Sequence, residues 1–385
     1  MIPGRRDLAL IAVSLLFAAA AAEIGLRIAG IAYPVFHRLE PLRGWSPLPG
    51  VSGVWMTEGE ALIENNAEGF RDRDRPLTKP PNTFRIAVIG DSMSEALAVP
   101  LEKTYWSILE RALARCRGDA VEVMNFSVSG YGTAQQLLTL RHNALKYEPD
   151  LVLLAFFTGN DVWNNERALD GHEDRVYFVL EPDGSLREDA SNTATARFRT
   201  KMLWRGVVNG AINASRLLQL IRESYTRAKT ALRGDKARDG AIFDPASGDY
   251  RIFVPPATEE WRRAWKTTEA LILKMRDAAA AKGAAFGIVN LTAPVQVYPD
   301  AALRRAFAKS LGTDRLDYPD RRIAEFAANA GIPAITLLDP LRDHATATGA
   351  YLHGFDNTRP GTGHWNDAGH ARAAAEIAKV LCERR

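Results

Sequence analysis

The sequence predicts a three-layer α/β fold: a doubly wound parallel sheet with helices on both faces, interrupted by an inserted helical or irregular region and preceded by an apolar N-terminal helix. Three observations predict it. Short apolar, β-rich runs recur at 84–89 (FRIAVI), 121–126 (VEVMNF), 151–157 (LVLLAFF), 286–291 and 334–338, the pattern of strands buried on both faces. Stretches of helical character separate them, which argues for parallel strands joined by crossovers. The chain has 385 residues, 46% of them hydrophobic and 25% charged, enough for a sizeable core and too apolar for a disordered or fibrous chain.

Composition excludes other classes. Lys and Arg number 49 against 46 Asp and Glu, and a net charge of +3 argues against a dedicated nucleic-acid binder. Two cysteines are too few for a disulfide scaffold or a Cys-based zinc site. No repeat of solenoid period is present.

Residues 1–34 form the first element. Arg5 and Arg6 precede an apolar run over 8–22, and Glu23 and Arg27 follow at i, i+4, where they pair on one helix face. The uninterrupted run is short of the ~20 residues a spanning helix needs; read through that pair to about Ile31, it is long enough. Ala20, Ala21 and Ala22 also resemble a signal-peptidase site. Three readings stand: a retained signal anchor, a cleaved signal peptide and a buried soluble helix. The first two place the chain from about residue 35 onward outside the cytoplasm, periplasmic or extracellular, because Arg5 and Arg6 hold the N-terminus inside.

Residues 35–80, rich in Pro, Gly and charge, read as a linker or lead-in. The main domain spans 81–385. Its first strand is followed by a helix over about 101–116, and residues 135–146 read as a helix between the second and third strands. Residues from about 165 to 255 break the alternation: a polar stretch gives way to a basic one containing Leu203, Trp204, Leu217, Leu218 and Leu220. This insertion holds one or two amphipathic helices that either cover the active site, touch anionic lipid or pack on the domain. Helices over about 258–282 and 321–330 and a last helix from near Asp367 complete the pattern. The first and last helices of a doubly wound sheet often share a face, so Cys116 and Cys382, near their C-terminal ends, could be neighbours; an oxidising compartment would allow a bond between them. Two unpaired buried thiols are the alternative.

Ligands of such sheets bind beyond the carboxyl ends of the strands. After the first strand stands Gly90-Asp91-Ser92-Met93-Ser94, with Ser92 at a helix N-terminus as either a nucleophile or an N-cap. After the second stands Ser127-Val128-Ser129-Gly130-Tyr131-Gly132, where a glycine lets backbone N–H approach a ligand or simply makes a turn. After the third stands Thr158-Gly159-Asn160-Asp161, with Asn160 as an amide donor or a cap. Near the C-terminus, Gly363-His364-Trp365-Asn366-Asp367-Ala368-Gly369-His370 holds two of the seven histidines. A hydroxyl, an imidazole, a backbone N–H and an amide on one sheet edge are the parts acyl transfer needs.

These blocks resemble the SGNH hydrolase superfamily, the GDSL-like esterases, in its membrane-anchored, exported branch. The stretches IGDSMSEA, NFSVSGYGTAQQ and TGND and the final His-rich block occur in the family's order from Ile89 to His370, with Met93 in place of leucine and Thr158 in place of a glycine. The resemblance implies a flavodoxin-like sheet, Ser92 as nucleophile, and an oxyanion hole made by the backbone N–H groups of Ser92 and Gly130 and the side chain of Asn160. The family usually reads Asp-x-x-His, often followed by Asn-x-x-Gly-His. Two registers therefore compete. In one, His364 is the base and Gly361 stands where the acid belongs, leaving Asp356 as the nearest candidate acid or a Ser–His dyad. In the other, Asp367 and His370 are the acid and base. The His-x-Asn-x-x-Gly-His spacing favours His364. The resemblance further implies ester hydrolysis on O-acyl, chiefly O-acetyl, groups of carbohydrate outside the cytoplasm, with no metal or cofactor, no nucleic acid, and membrane attachment through the N-terminal helix. A polysaccharide O-acetyltransferase and a non-catalytic carbohydrate-binding assembly protein are the alternatives, and the absent acid at Gly361 is the best support for the last.

Overall fold

The computed structural model describes residues 4–238, 242–245 and 248–383; residues 239–241 and 246–247 of the expected insertion and residues 1–3 of the expected anchor lie outside the described residues. Its centre is a five-stranded sheet: β1 (Thr83–Ile89), β2 (Ala120–Asn125), β3 (Leu151–Phe157), β4 (Ala285–Leu291) and β5 (Ala334–Thr336). The order across the sheet is β5-β4-β3-β1-β2, and every pairing is parallel. Reversal of direction about β1 makes a switch point between β1 and β3, where such sheets open a crevice at the strands' carboxyl ends.

The strands are mainly apolar because both faces are covered; the charged exceptions, Arg85 on β1 and Glu122 on β2, are paired with each other at 2.6 Å. Ile86, Val88, Val123, Leu153 and Val289 pack on one side, against Trp106, Leu109 and Ile377; Ala87, Ile89, Met124, Val152 and Leu154 pack on the other, against Trp265, Leu271 and Ile272. Each such buried Ile, Leu, Val or Met side chain is worth roughly 1.5–3 kcal/mol. Helix α1 (Tyr105–Arg117) is capped by Thr104, whose hydroxyl accepts from Ser107 N at 3.3 Å, and buries Leu109 and Leu113 one turn apart. It lies against α2 (Asp367–Glu383), and a disulfide joins Cys116 to Cys382, their Cα atoms 6.0 Å apart. The stretch expected as one helix over 135–146 is shorter: an α-helix at Thr133–Thr139, a wider turn at Leu140–Ala144 and a tight turn at Leu145–Tyr147. Two further helices, Ala301–Ser310, capped by Asp300, and Leu338–Thr348, lie outside the expected elements.

Residues 35–80 are not a linker. They form two antiparallel ribbons, His37–Glu40 with Gly44–Pro47 and Ser52–Trp55 with Ala61–Glu64. Phe36, Ala61 and Ile63 make a small core of their own with Leu97 of the main domain. The expectation failed because the apolar residues alternate over only four positions per strand, too few for a periodicity to stand out. The insertion contains a short ribbon, Tyr177–Leu180 with Leu186–Asp189, and two helices, Ala196–Ala214 and Arg216–Arg238. The N-terminal helix Arg5–Ile28 is 24 residues long, has a mean hydropathy of 2.2 over its most apolar window and buries no residue. It is long and apolar enough to cross a membrane.

Candidate active site

Ser92 opens a one-turn helix, Ser92–Glu95, directly after β1. Asp91 caps that turn, its carboxylate accepting from Met93 N at 2.9 Å. A single turn has little macrodipole, and Met93, Ser94 and Glu95 N–H already bond to Asp91, so what this position offers is the backbone N–H of Ser92 rather than a helix field. Asp91 is fully buried, which pushes its carboxyl up to about 6.

His364 comes to Ser92 from 272 residues away: its Nε2 lies 2.8 Å from Ser92 Oγ. On the other side of the ring, Nδ1 lies 2.5 Å from Glu58 Oε2, and the backbone N–H of His364 donates to Glu58 Oε1 at 2.6 Å. Glu58 thus grips both the ring and the backbone of one residue, which fixes the imidazole tautomer with its proton on Nδ1 and a lone pair facing the serine. Burial alone would push His364 down, but the hydrogen bond and charge of Glu58, with Asp91 and Glu95 behind, outweigh it and hold the ring above its ordinary value. Burial likewise pushes Glu58 up, and His364 outweighs it, so the carboxylate stays ionised.

Asp356, the expected acid, is exposed on the surface of the same loop, and Glu58 occupies the place against Nδ1 that an acid would take. Gly361 does not stand on an empty space for one: a Cβ there would come 2.4 Å from the Tyr298 ring, in a backbone with φ of +78°. Gly363 explains how Glu58 fits. A Cβ on Gly363 would fall 2.0 Å from Glu58 Oε1. The bare backbone of 363 is the slot the carboxylate occupies. Asn357 holds the turn bearing Glu58: its amide donates to Met56 O at 3.1 Å and Gly59 O at 3.0 Å, and its oxygen accepts from Gly59 N at 2.9 Å. His353, buried and pushed down to about 4, bonds through Nδ1 to Gly363 O at 2.8 Å and secures the loop from inside.

The alternative register fails on geometry. His370 is buried in the helix, stacked on Tyr105 with ring centroids 6.0 Å apart, and its Nδ1 accepts from Tyr105 N at 3.3 Å. Burial pushes it down to about 3, so it stays neutral. Asp367 points the other way, to Lys103 at 2.6 Å on the surface. The spacing Asp-x-x-His occurs here because Asn366 caps the last helix, its Oδ1 accepting from Gly369 N at 3.1 Å, and the next turn happens to carry a core histidine.

Gly130 and Asn160 stand on the loops after β2 and β3 that flank the Ser92 turn. The Gly130 loop is tied down on both sides. Glu95, buried one turn after Ser92, accepts from Ser129 N at 2.6 Å and pairs with His37 at 2.8 Å. Arg175 donates to Gly130 O at 2.8 Å, and Trp45 Nε1 donates to Ser129 O at 3.0 Å. The Asn160 loop is stapled by buried Asp161, which accepts from Phe157 N at 2.8 Å and from Gln136 at 2.9 Å. Asn160 Oδ1 is buried without a partner of its own.

Sequence reasoning missed Glu58, Glu95, His37 and Asn357. One signal for Glu58 was present: a Thr57-Glu58-Gly59 turn between the short runs 51–55 and 61–64 reads as a hairpin, and the acid was known to be wanting. Among the described residues no group of His, Cys, Asp and Glu has the arrangement of a metal site.

Residues 88–372 match the GDSL-like lipase/acylhydrolase family. An arylesterase of Vibrio mimicus is 39% identical over 70 residues, 18% of this chain and 34% of that protein, so the chain spans about a third of the length of this curated relative. Among solved structures, the acetyl xylan esterase AlAXEase is 11% identical with a TM-score of 0.39, covering 77% of this chain and 100% of that one. The lipase Lip_vut3 from a goat rumen metagenome is 12% identical with a TM-score of 0.40, covering 77% and 96%. A match running from the first sheet strand into the last helix, over nearly three-quarters of the sequence, means that this chain belongs to the GDSL-like lipase/acylhydrolase family.

Proposed function

We propose that the chain is a serine esterase that hydrolyses O-acyl esters, chiefly O-acetyl groups on carbohydrate outside the cytoplasm, and that it is held at the membrane by its N-terminal helix. The observation that carries the reaction is the hydrogen-bonded row Ser92–His364–Glu58. Ser92 Oγ attacks the carbonyl carbon while His364 Nε2 takes its proton. Glu58 stabilises the imidazolium that forms without itself being protonated. The N–H groups of Ser92 and Gly130 and the amide of Asn160 receive the oxyanion. His364 then gives its proton to the leaving alkoxide, and water, deprotonated by the same ring, releases the acid and restores Ser92.

A complete acid–base row removes the best support for a non-catalytic binding protein, which was the glycine at position 361. A carbohydrate substrate is supported by an open site: the His364 side chain is 37% exposed, and the half-buried indole of Trp45, 3.2 Å from the place a Gly130 Cβ would occupy, offers a flat apolar wall beside the expected oxyanion position. Export is supported by the Cys116–Cys382 bond, which persists in oxidising compartments. Residues 1–34 then serve as the anchor and 81–385 as the hydrolase unit, with the acid supplied from 35–80.

Incubation with an activated acetyl ester followed by intact-protein mass spectrometry tests the reading. The expected result is an acetyl adduct on Ser92 that is absent from Ser92→Ala. Full ester hydrolysis by Ser92→Ala overturns it. Acetyl release measured with and without an oligosaccharide acceptor separates hydrolysis from transfer, which share the acyl-enzyme and differ only in what accepts it.

A further inference from the structure

We infer that the two insertion helices, Ala196–Ala214 and Arg216–Arg238, lie on the membrane surface beside the anchor and bind anionic lipid headgroups there. This rests on the anchored reading above and extends it from a tether to a seated orientation.

The first observation is an apolar surface with nothing on it. Leu203, Trp204 and Val207 are 68%, 68% and 69% exposed on the first helix. On the second, Leu218, Ile221 and Tyr225 stand at i, i+3 and i+7, one face of a helix, and all are exposed. Solvent contact for so many large side chains on two adjoining helices marks an interaction surface.

The second observation is where this surface sits. Helix Arg5–Ile28 ends against the junction of the two insertion helices. Glu23 caps the second, accepting from Arg216 N at 3.0 Å, Leu217 N at 2.9 Å and the Ser215 hydroxyl at 2.9 Å. Arg27 donates to Ala214 O at 2.7 Å and pairs with Glu23. The chain that leaves the anchor is clamped as well: Tyr33 N donates to Gln219 and Val35 N to Asn213, at 2.8 and 2.7 Å. Glu23 and Arg27 lie in the last turns of the anchor, at the level where a spanning helix meets headgroups. The junction they bind is therefore at that level too. Two charged groups that looked like flaws in a spanning segment are the attachment points of the insertion.

The third observation is charge. The sequence from 196 to 238 holds eleven Lys or Arg and two Asp or Glu, whereas the whole chain carries only +3. A basic, amphipathic helix pair with aromatic and aliphatic residues exposed is the composition that settles into the headgroup layer of an anionic bilayer. The consequence reaches the site: Arg227 on the second helix contacts Met56, two residues before Glu58, so the seated helices would fix how the cleft faces the membrane.

The full chain reconstituted into vesicles carrying bromines on the acyl chains provides the test. Tryptophan quenching is compared between wild type and Trp204→Phe, in phosphatidylcholine alone and with added phosphatidylglycerol, and carbonate extraction is run in parallel. The expected result is a quenchable component that Trp204→Phe loses, several-fold larger with phosphatidylglycerol, with hydrolysis of a soluble ester unchanged in the variant. Equal quenching of the two proteins overturns the seating; if carbonate leaves the chain in the vesicles, the anchor reading survives that failure. Carbonate release with Trp204 still quenched at neutral pH overturns the anchor and keeps the seating. Trp204 shielded from both bromines and dissolved acrylamide means that a second copy or another protein covers the face, which overturns the proposal. Equal quenching in both lipid compositions overturns the headgroup recognition.

Discussion

His364 and His370 are six residues apart, one on the loop before the last helix and one in its first turn, and their surroundings are opposite. The loop presents His364 between a hydroxyl and a carboxylate, and the carboxylate raises its proton affinity against the cost of burial. The helix turns His370 inward against Tyr105, where burial meets no compensating charge and the ring stays neutral. Chemistry and packing thus use the same side chain, and the deciding factor is whether an acceptor of opposite charge faces the second ring nitrogen. The largest test of this contrast is to exchange each histidine. His364→Ala should lower kcat by roughly three to five orders of magnitude with the melting temperature nearly unchanged. His370→Gln should do the reverse, leaving kcat nearly intact and costing about 1–3 kcal/mol of stability. Paired kinetics and thermal unfolding check both, and loss of turnover in a fully folded His370→Gln would break the comparison.

The next test acts on the carboxylate that makes the difference. Glu58→Gln keeps the shape and removes the charge. Turnover should fall by about two to four orders of magnitude, while Asp356→Ala should have no effect. The pH profile sharpens the point. His364 must be neutral to accept the serine proton, so activity falls as pH drops through its pKa, which Glu58, against the cost of burial, holds above the ordinary imidazole value. Without Glu58 only burial and the more distant Asp91 and Glu95 act on the ring, and the acid limb of kcat/KM should move to lower pH. An acid limb that stays in place would show that another group sets it.

How much of this was legible depends on the range of the interaction that decides each feature. The run 84–89 is legible because a strand covered on both faces is apolar at nearly every position, with only Arg85 breaking the run, and Ser92 and Asn160 follow because a parallel sheet gathers its strand ends on one edge. His364 was separable from His370 by local spacing. Glu58 was not, because its role exists only through a contact 306 residues away; the hairpin turn that carries it leaves a local signal, but nothing local says what that turn reaches. The lead-in looked like a linker for the same reason: its ribbons are held by Leu97 and by the clamp of Asn357, both outside it. Residue 361 misled because a familiar spacing put the acid there, while Tyr298 had filled the space.

A smaller effect is expected from the slot itself. Gly363→Ala places a methyl group where Glu58 Oε1 now lies, in a backbone with φ of +70°. The carboxylate must retreat while His364 remains on its loop, held by Gly354 N to His364 O at 3.1 Å. A displacement near 1 Å costs on the order of a hundredfold in turnover. The loss should therefore be less than in Glu58→Gln, because a displaced carboxylate still carries its charge. Turnover equal to wild type in Gly363→Ala would mean the row tolerates movement.

The smallest effect on catalysis should come from the disulfide, at the far ends of the two helices whose opposite ends lie near the site. Cys116 and Cys382 close a loop of 266 residues, so the bond removes much chain entropy from the unfolded state. Cys116→Ser should lower stability by on the order of 2–4 kcal/mol, read as a drop in melting temperature, with kcat unchanged at room temperature. The reason for expecting no kinetic change is that His364 owes its position to Glu58, His353 and Asn357 rather than to the end of the last helix. A loss of turnover in Cys116→Ser that precedes unfolding would mean that strain in the last helix reaches the loop before it, and the two histidines would then be mechanically coupled in spite of their different surroundings.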